Sequence, residues 1–329
     1  MSRRIVLLVT SPRLPAGLLT AQAWDLVRGH PVFASADSDT VVALRSAGAA
    51  VELTTDPLPA LLDALAGHET VIWLAGPSGD EKVARELGLR LAQEPGLAEL
   101  ELMYGSWDPP GARLLDVVTV MDRLVSPGGD PWKREQTHQT LARYLLEEAY
   151  EAYDAICDHD LAALREELGD VLLQVVLHSR MAEEAEQPWS VDDLAGDLVE
   201  KLIRRNPHVF GDEVVAGVDD IIENWERIKR EEKSRDSAMD GIALSQPALA
   251  LAAKVLTRAQ RAGLTVPAPD IDDPLGLILL DLVAQAQTSG LDAEAALRRV
   301  ALAQAEAVRA AEAVRAAEAG RAAEAGQAS

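Results

Sequence analysis

The N-terminal part of the chain alternates short, unbroken apolar runs with longer amphipathic segments. The apolar runs predict buried strands at 5–10, 51–55, 70–75 and 100–104. Helical patterns lie between them, around 18–27, 40–47, 58–66 and 81–92. Strands that alternate with helices are typical of a parallel sheet covered by helices. The sequence therefore predicts an α/β N-terminal domain with a short parallel sheet.

Beyond the segment SWDPPGA at 106–112, the pattern becomes helical throughout. Helices are predicted at 112–125, 134–158, 160–186, 190–205 and 217–233. The predicted fold class is thus an α/β domain followed by an all-α domain. At the end, VRAAEA repeats at 308–313 and 314–319, and we expect a helical tail that frays into disorder by Gly320 or Gly326.

Composition and charge exclude several classes of protein. The net charge of −23 and the pI near 4.6 argue against nucleic acid or an anionic membrane as the main partner. Cys157 is the only cysteine, which excludes an intrachain disulfide and a cysteine-rich zinc site. The apolar run near the N-terminus is too short to span a bilayer, and Pro12 and Pro15 follow it. We therefore expect a cytoplasmic protein with no membrane span.

Acidic residues interrupt two strongly apolar helical segments. Glu147, Glu148 and Glu151 lie in LLEEAYEAYDAI, and Glu167 and Asp170 lie in LREELGDVLLQVV. Positions three or four apart share one face of a helix, so antiparallel packing would bring the two groups together. Crowded carboxylates repel one another unless a cation joins them. Oxygen ligands favour Mg²⁺, with Mn²⁺ as a substitute, over zinc.

The alternative is that these acids are solvated surface groups, as most helical Glu and Asp are. The flanking residues favour a metal site, because leucines, valines and tyrosines surround both groups and we expect these apolar faces to be buried. Asp170 directly precedes the run VLLQVVL, where burying even a neutral polar group without a partner costs on the order of 2–7 kcal/mol.

The arrangement EExxE, fifteen residues, then ExxD resembles the signature of the all-α nucleoside triphosphate pyrophosphohydrolases, and in particular the MazG group. The likeness extends over residues 114–262 and includes KLIRRNPHVFGDE and NWERIKREEK. It implies Mg²⁺-dependent cleavage between the α- and β-phosphates of a nucleoside triphosphate, releasing a monophosphate and pyrophosphate in nucleotide-pool house-cleaning. It also implies a homodimer or higher homo-oligomer in which helices of two subunits form a four-helix core.

The resemblance also implies roles for individual residues. The metal ligands would be Glu148, Glu151, Glu167 and Asp170, and Glu147 would orient water beside them. Phosphate-binding cations would be Lys201, Arg204, Arg205 and Lys229, although surface salt bridges explain most helical Lys and Arg. Trp132 and Trp225 are candidates to stack on a nucleobase, although tryptophan is more often a core residue.

The chain departs from the family pattern at a few positions. The usual C-P-W-D is D-P-W-K, with Asp130 and Lys133, and Asn206 stands where a histidine is usual. These changes bear on nucleobase selectivity, since every metal-ligand position is retained. His138, His178 and His208 have no second histidine or cysteine at metal spacing, so we expect them to be structural.

Two further segments resemble remnants of larger units. IDDPLGLILLDLV at 271–283 repeats the apolar pattern of 164–176, but Pro274 and Leu277 replace the acids. The N-terminal domain is distantly similar to the start of tetrapyrrole methylases, without their glycine-rich turn. The predicted domains are a truncated methylase-like domain at 1–110, a MazG domain at 111–239, a degenerate second MazG-like unit at 240–305 and the tail at 306–329.

Two other functions stay open from the sequence. One is a helical regulatory protein that binds a metal or a nucleotide and has no catalytic activity. The other is methyl transfer by the N-terminal domain, for which an inactive relic is the favoured interpretation; a weak nucleotide-binding or regulatory role also stays open for it.

Overall fold

The computed structural model describes residues 3–76, 80–232, 236–267 and 269–327. The chain divides into two compact units, Met1–Val199 and Glu200–Ser329. The first unit contains a sheet with its helices and then a set of longer helices. The second unit is helical wherever the described residues have regular structure. The finer division into four segments stays a prediction.

A five-stranded parallel sheet forms the N-terminal part of the first unit, in the order β3-β2-β4-β1-β5. Its strands are β1 Arg4–Val9, β2 Val32–Ala34, β3 Val51–Leu53, β4 Thr70–Leu74 and β5 Glu99–Tyr104. The helices between them are α1 Ala21–Gly29, α2 Asp39–Ser46, α3 Pro57–Ala64 and α4 Glu81–Gln93. The α/β prediction is confirmed. The sequence pattern missed β2, a three-residue strand that is buried between β3 and β4.

Helices cover both faces of the middle strands β1, β2 and β4, which are continuous apolar runs. The expectation of buried strands was wrong for β3 and β5, which are largely exposed because they form the edges of the sheet. Val6 and Leu8 of β1 face the core that α1 and α2 complete, whereas Ile5 and Leu7 face the core of α3 and α4. Trp73 is fully buried in the second core, and its indole N–H donates to a carboxylate oxygen of Asp80 at 2.6 Å.

Longer helices complete the first unit and extend beyond it. They are α5 Arg113–Val125, the single turn α6 Pro131–Arg134, α7 His138–Cys157, α8 Leu161–Ala182 and α9 Val191–Arg205. Met121 of α5, Leu141 of α7 and Leu177 of α8 meet in their shared core. The helix α9 begins in the first unit, and its last turns belong to the second.

The second unit continues with helices that pack on one another. They are α10 Pro207–Phe210, α11 Val218–Glu232, α12 Ala248–Arg261, α13 Pro274–Thr288 and α14 Ala293–Gln327. The helix α12 contacts both α13 and α14. The helix α14 extends to Gln327, and the fraying of the tail by Gly320 or Gly326 stays a prediction. Extending an existing helix needs no new nucleation, and Ala, Arg and Glu propagate it well.

Among the described residues, no helix combines the length and the apolarity needed to cross a bilayer.

Candidate functional site

A helical hairpin made of α7 and α8 carries the acidic residues. Thr137 caps α7 by accepting a hydrogen bond from the backbone N–H of Thr140, whose hydroxyl in turn accepts from the N–H of Thr137. Asp160 caps α8 by accepting from the N–H groups of Ala162 and Ala163. Only residues 158–160 separate the helices, so α7 and α8 run antiparallel and pack against each other.

On α7, Glu148 occupies the face that packs inward. It lies on the same helix face as the buried Leu141, seven residues before it, and the buried Ala152 and Ala155, four and seven residues after it. The carboxyl is therefore half-buried, whereas Glu147 and Glu151 are exposed.

On α8, Glu167 and Asp170 share the corresponding inward face. They are in helical step with Gln174 and Leu177, both of which are buried. Both acids are half-buried. The two helices thus present carboxyls to each other on the side of the hairpin nearer the connecting loop, while Leu141 and Leu177 pack in the core further from that loop.

Three of the predicted metal ligands converge within ligand distance of a single ion. One carboxylate oxygen from each of Glu148, Glu151 and Glu167 lies within 4.8 Å of the other two. Asp170 is not part of that group of three, but its charge acts on both Glu148 and Glu167. Glu147 acts on Glu148 in the same way, more weakly than the other acids.

The electrostatics of this cluster favour an added positive charge. Burial raises the pKa of Glu148, and Asp170 and Glu151 raise it further. Burial likewise raises the pKa of Glu167, with Glu151 the next cause. The carboxylates of Glu148, Glu151 and Glu167 lie close enough to repel one another, and a divalent cation between them would relieve that repulsion.

The apolar flanks of the cluster are exposed, contrary to the expectation that these faces are buried. Leu146, Tyr150 and Ile156 of α7 are 55%, 44% and 54% exposed, and Leu168 of α8 is 53% exposed. The expectation was wrong for a single chain because the core of α5, α7 and α8 uses only one side of the hairpin. The opposite side presents an apolar surface beside the acids.

The predicted phosphate-binding cations lie in a cavity of the second unit. Lys201, Arg204 and Arg205 of α9 and Lys229 of α11 line it, and its volume is about 500 Å³. They are joined by Lys254 and Arg258 of α12, which lie within the similar stretch 114–262 but outside its motifs.

One carboxylate, that of Glu232, lies among these cations. It accepts from Nε of Arg204 at 2.8 Å and from Nε of Arg205 at 3.0 Å. The two guanidinium groups, with Arg205 contributing more than Arg204, lower the pKa of Glu232 to about 2. Glu232 therefore remains an anion at any ordinary pH. Sequence reasoning missed it because it is separated from Arg205 by 27 residues.

Trp225 and Trp132 have different surroundings. Trp225 of α11 is half-buried, with Nζ of Lys229 at 4.5 Å and the guanidinium carbon of Arg205 at 5.5 Å from its ring centre. Trp132 of α6 is 48% exposed and meets Tyr144 edge-to-face, with ring centres 5.9 Å apart. Base stacking by either ring stays a prediction.

A histidine pair was also missed by the sequence pattern. The rings of His138 and His178 stack with their centres 5.0 Å apart, and their Nδ1 atoms are 2.7 Å apart. Burial, and then His138, lowers the pKa of His178. The partners are 40 residues apart on α7 and α8, so no local spacing indicates the pair.

The sequence profile of the MazG nucleotide pyrophosphohydrolase domain matches residues 136–210. The nucleoside triphosphate pyrophosphohydrolase of Mycobacterium tuberculosis is 40% identical over 248 residues, which cover 74% of this chain and 69% of that protein. The chain belongs to the MazG family. The family resemblance of the acidic motif is thereby confirmed.

Two other proteins are also similar to this chain. The nucleoside triphosphate pyrophosphohydrolase/pyrophosphatase MazG of Thermotoga maritima is 34% identical over 207 residues, covering 56% of this chain and 79% of that protein. An uncharacterized 26.1 kDa protein of Streptomyces cacaoi is 48% identical over 235 residues, covering 71% of this chain and 95% of that protein. The matched MazG segment contains all of the clustered acids and the cations of α9.

Proposed function

We propose that this protein hydrolyses nucleoside triphosphates between the α- and β-phosphates, releasing a nucleoside monophosphate and pyrophosphate, and so removes surplus or damaged nucleotides. The observation that carries the proposal is the convergence of Glu148, Glu151 and Glu167 on the hairpin, inside the segment that matches the MazG domain. A cytoplasmic location stays a prediction.

The cluster fits a divalent metal, on which the MazG family in general depends. The donors are all carboxylate oxygens, which suits Mg²⁺, with Mn²⁺ as a substitute, and the raised pKa values of Glu148 and Glu167 support a site that binds a cation. Glu148, Glu151, Glu167 and Asp170 would hold it. When bound, the metal supplies charge neutralisation of the phosphates and lowers the pKa of a bound water.

The remaining chemistry needs position and charge more than a protein nucleophile. Glu147, exposed next to the ligands, would accept a hydrogen bond from the attacking water and orient it. Lys201, Arg204, Arg205 and Lys229 would donate to phosphate oxygens, for which the planar guanidinium is well suited. Trp132 and Trp225 would contact the nucleobase.

We further propose that the protein is a homodimer or higher homo-oligomer through its helical hairpin. The exposed stripe of Leu146, Tyr150 and Ile156 runs along α7 beside the acids. Covering such a surface with a second copy would bury it and exclude water from the cluster.

We also propose the domain division that the sequence predicts. Residues 1–110 would be a truncated methylase-like domain, and residues 240–305 would be a degenerate MazG-like unit.

Product analysis tests this proposal directly. The protein is incubated with a panel of nucleoside triphosphates, including oxidised ones, with Mg²⁺, and the products are separated by anion exchange and ³¹P NMR. We expect pyrophosphate and monophosphate in equal amounts. Release of single orthophosphate would show that another bond is cleaved. Absence of any turnover with Mg²⁺ or Mn²⁺ would leave the silent regulatory protein as the better description.

A further inference from the structure

We infer that Lys254 and Arg258 of α12 bind the polyphosphate of the substrate, so that the segment 240–305 completes the substrate site in addition to packing. This inference rests on the proposed function and extends its phosphate site by two residues. No motif of the family segment assigns a role to either side chain.

Three helices converge on the cavity that these residues line. Lys201, Arg204 and Arg205 come from α9 and Lys229 comes from α11, while Lys254 and Arg258 come from α12. The cavity volume of about 500 Å³ is within the range of small-molecule sites. Lys254 and Arg258 are four residues apart, so they occupy one face of α12, the face that lines the cavity.

This cavity is positively charged, whereas the chain as a whole is negatively charged. Among the described residues that line it, six are cationic and one, Glu232, is anionic, although the chain has a net charge of −23. Glu232 pairs with both Arg204 and Arg205, and its single negative charge offsets only one of the six positive charges. Like charges at such density are costly unless an anion binds between them.

Two backbone carbonyl groups hold the guanidinium of Arg258 in place. Its Nη1 donates to the carbonyl oxygen of Ala238 at 3.0 Å and lies 3.4 Å from that of Asp240. The next residue along that connection, Gly241, has a φ of 71° and lines the cavity, which allows the backbone to turn away from the guanidinium. The guanidinium has five N–H donors, so these contacts leave donors for an anion.

These features indicate a ligand with several linked phosphates. A single phosphate would be surrounded by a few of these donors, whereas cations from three helices suit a chain of phosphate groups. The triphosphate of the substrate has this chemistry, as does inorganic tripolyphosphate. The second compound lacks a base and a sugar, so it probes the phosphate site by itself.

The test combines steady-state kinetics with calorimetric binding of inorganic tripolyphosphate to the full-length protein. We expect Lys254→Met to raise KM and the tripolyphosphate Kd by about tenfold with kcat changed less than about twofold, as loss of a charged hydrogen bond predicts. The double variant Lys254→Met, Arg258→Met should raise both by about a hundredfold.

Two further variants separate charge from structure. Arg258→Lys keeps the charge but weakens the contacts to the Ala238 and Asp240 carbonyls, so it should recover most of the affinity. Arg299→Met removes an exposed arginine of α14 outside the cavity and should leave KM and Kd unchanged. Melting temperatures of all variants report whether the fold is intact.

The outcomes distinguish this inference from the proposed function. If the wild-type protein turns over but Lys254→Met and the double variant leave KM and Kd unchanged, the inference is wrong and the function stands. If the wild-type protein shows no turnover, the proposed function fails, and the loss or retention of tripolyphosphate binding in the variants still decides the inference.

Discussion

Glu148 and Glu232 are both half-buried glutamates on helices, but the pKa values of their carboxyls are shifted in opposite directions. Burial and neighbouring acids raise the pKa of Glu148, whereas Arg205 and Arg204 lower the pKa of Glu232 to about 2. The first carboxyl lies in a cluster that lacks positive charge, and the second lies in a cavity rich in it. The hairpin therefore has a cluster suited to a cation, and the second unit has a cavity suited to an anion.

Neutralising one acid of the cluster should abolish turnover without unfolding the protein. Glu151→Gln and Asp170→Asn each remove a ligand charge but preserve the shape of the side chain, so we expect kcat/KM to fall more than about 100-fold. Product assays measure the rate, and far-UV circular dichroism measures the helix content. The matched control Glu166→Gln, an exposed acid on the same helix α8, should keep activity within a few-fold. An undiminished rate would remove that residue from the site.

At the scale of helices, Glu232 of α11 connects α11 to α9 by ion pairs. Its carboxylate bonds both arginines at the end of α9, and Trp225 on α11 contacts Arg205 and Lys229. These contacts hold the cations of the cavity in position before any ligand arrives. The same helices were predicted from their periodicity, but the partner of the arginines was not.

The Glu232 contact should make a pH-dependent contribution to stability. Its folded-state pKa of about 2 is below the ordinary value of 4.5, so the contribution is present above pH 4.5 and is lost as the pH falls towards 2. Glu232→Gln should therefore lower the melting temperature at neutral pH, and its difference from wild type should shrink as the pH falls through that window. Thermal melting monitored by circular dichroism measures it.

The control for this experiment is Glu223→Gln, which neutralises an exposed acid on the same helix. That variant should show little difference from wild type at any pH. A constant difference between wild type and Glu232→Gln across the whole window would show that the carboxylate stabilises by shape rather than by charge.

For the molecule as a whole, the exposed hairpin surface is the one that the proposed self-association would cover. Large apolar side chains are exposed on α7 and α8, where the acidic cluster also lies. The middle strands of the sheet, in contrast, are covered on both faces by helices of the same chain. The hairpin instead has an apolar face that is exposed in a single chain.

Charges placed on that surface should dissociate the assembly. We expect wild type to sediment as a dimer or higher oligomer, and Leu146→Glu combined with Ile156→Glu to sediment as a monomer with reduced activity, because a buried unpaired carboxylate is strongly unfavourable. Leu89→Glu, on an exposed position of α4, should not change the mass. A monomeric wild type, or an unchanged mass for the double variant, would contradict the proposed interface.

Removing the C-terminal tail should have little effect. No predicted site residue lies in 308–329, and its Ala-rich sequence offers few large apolar groups to bury. A protein that ends at residue 307 should therefore keep kcat/KM within about twofold of wild type. A large loss would show that the end of α14 takes part in assembly or catalysis.

Local pattern was enough to predict the α/β and helical parts, the main helix bounds and the acids of the hairpin. Hydrophobic period and motif spacing are properties of neighbouring residues, so Glu148, Glu151 and Glu167 could be predicted to share a surface from their positions alone. The three-residue β2 was missed because it is held by pairing with β3 and β4, not by any pattern of its own.

Only the tertiary structure decided which distant residues meet. Glu232 with Arg205, His138 with His178, and the addition of Lys254 and Arg258 to the cavity depend on helices brought together by packing over tens of residues. Exposure of the α7 surface likewise depends on which side the core uses, because an amphipathic pattern shows that a face is apolar without showing what covers it.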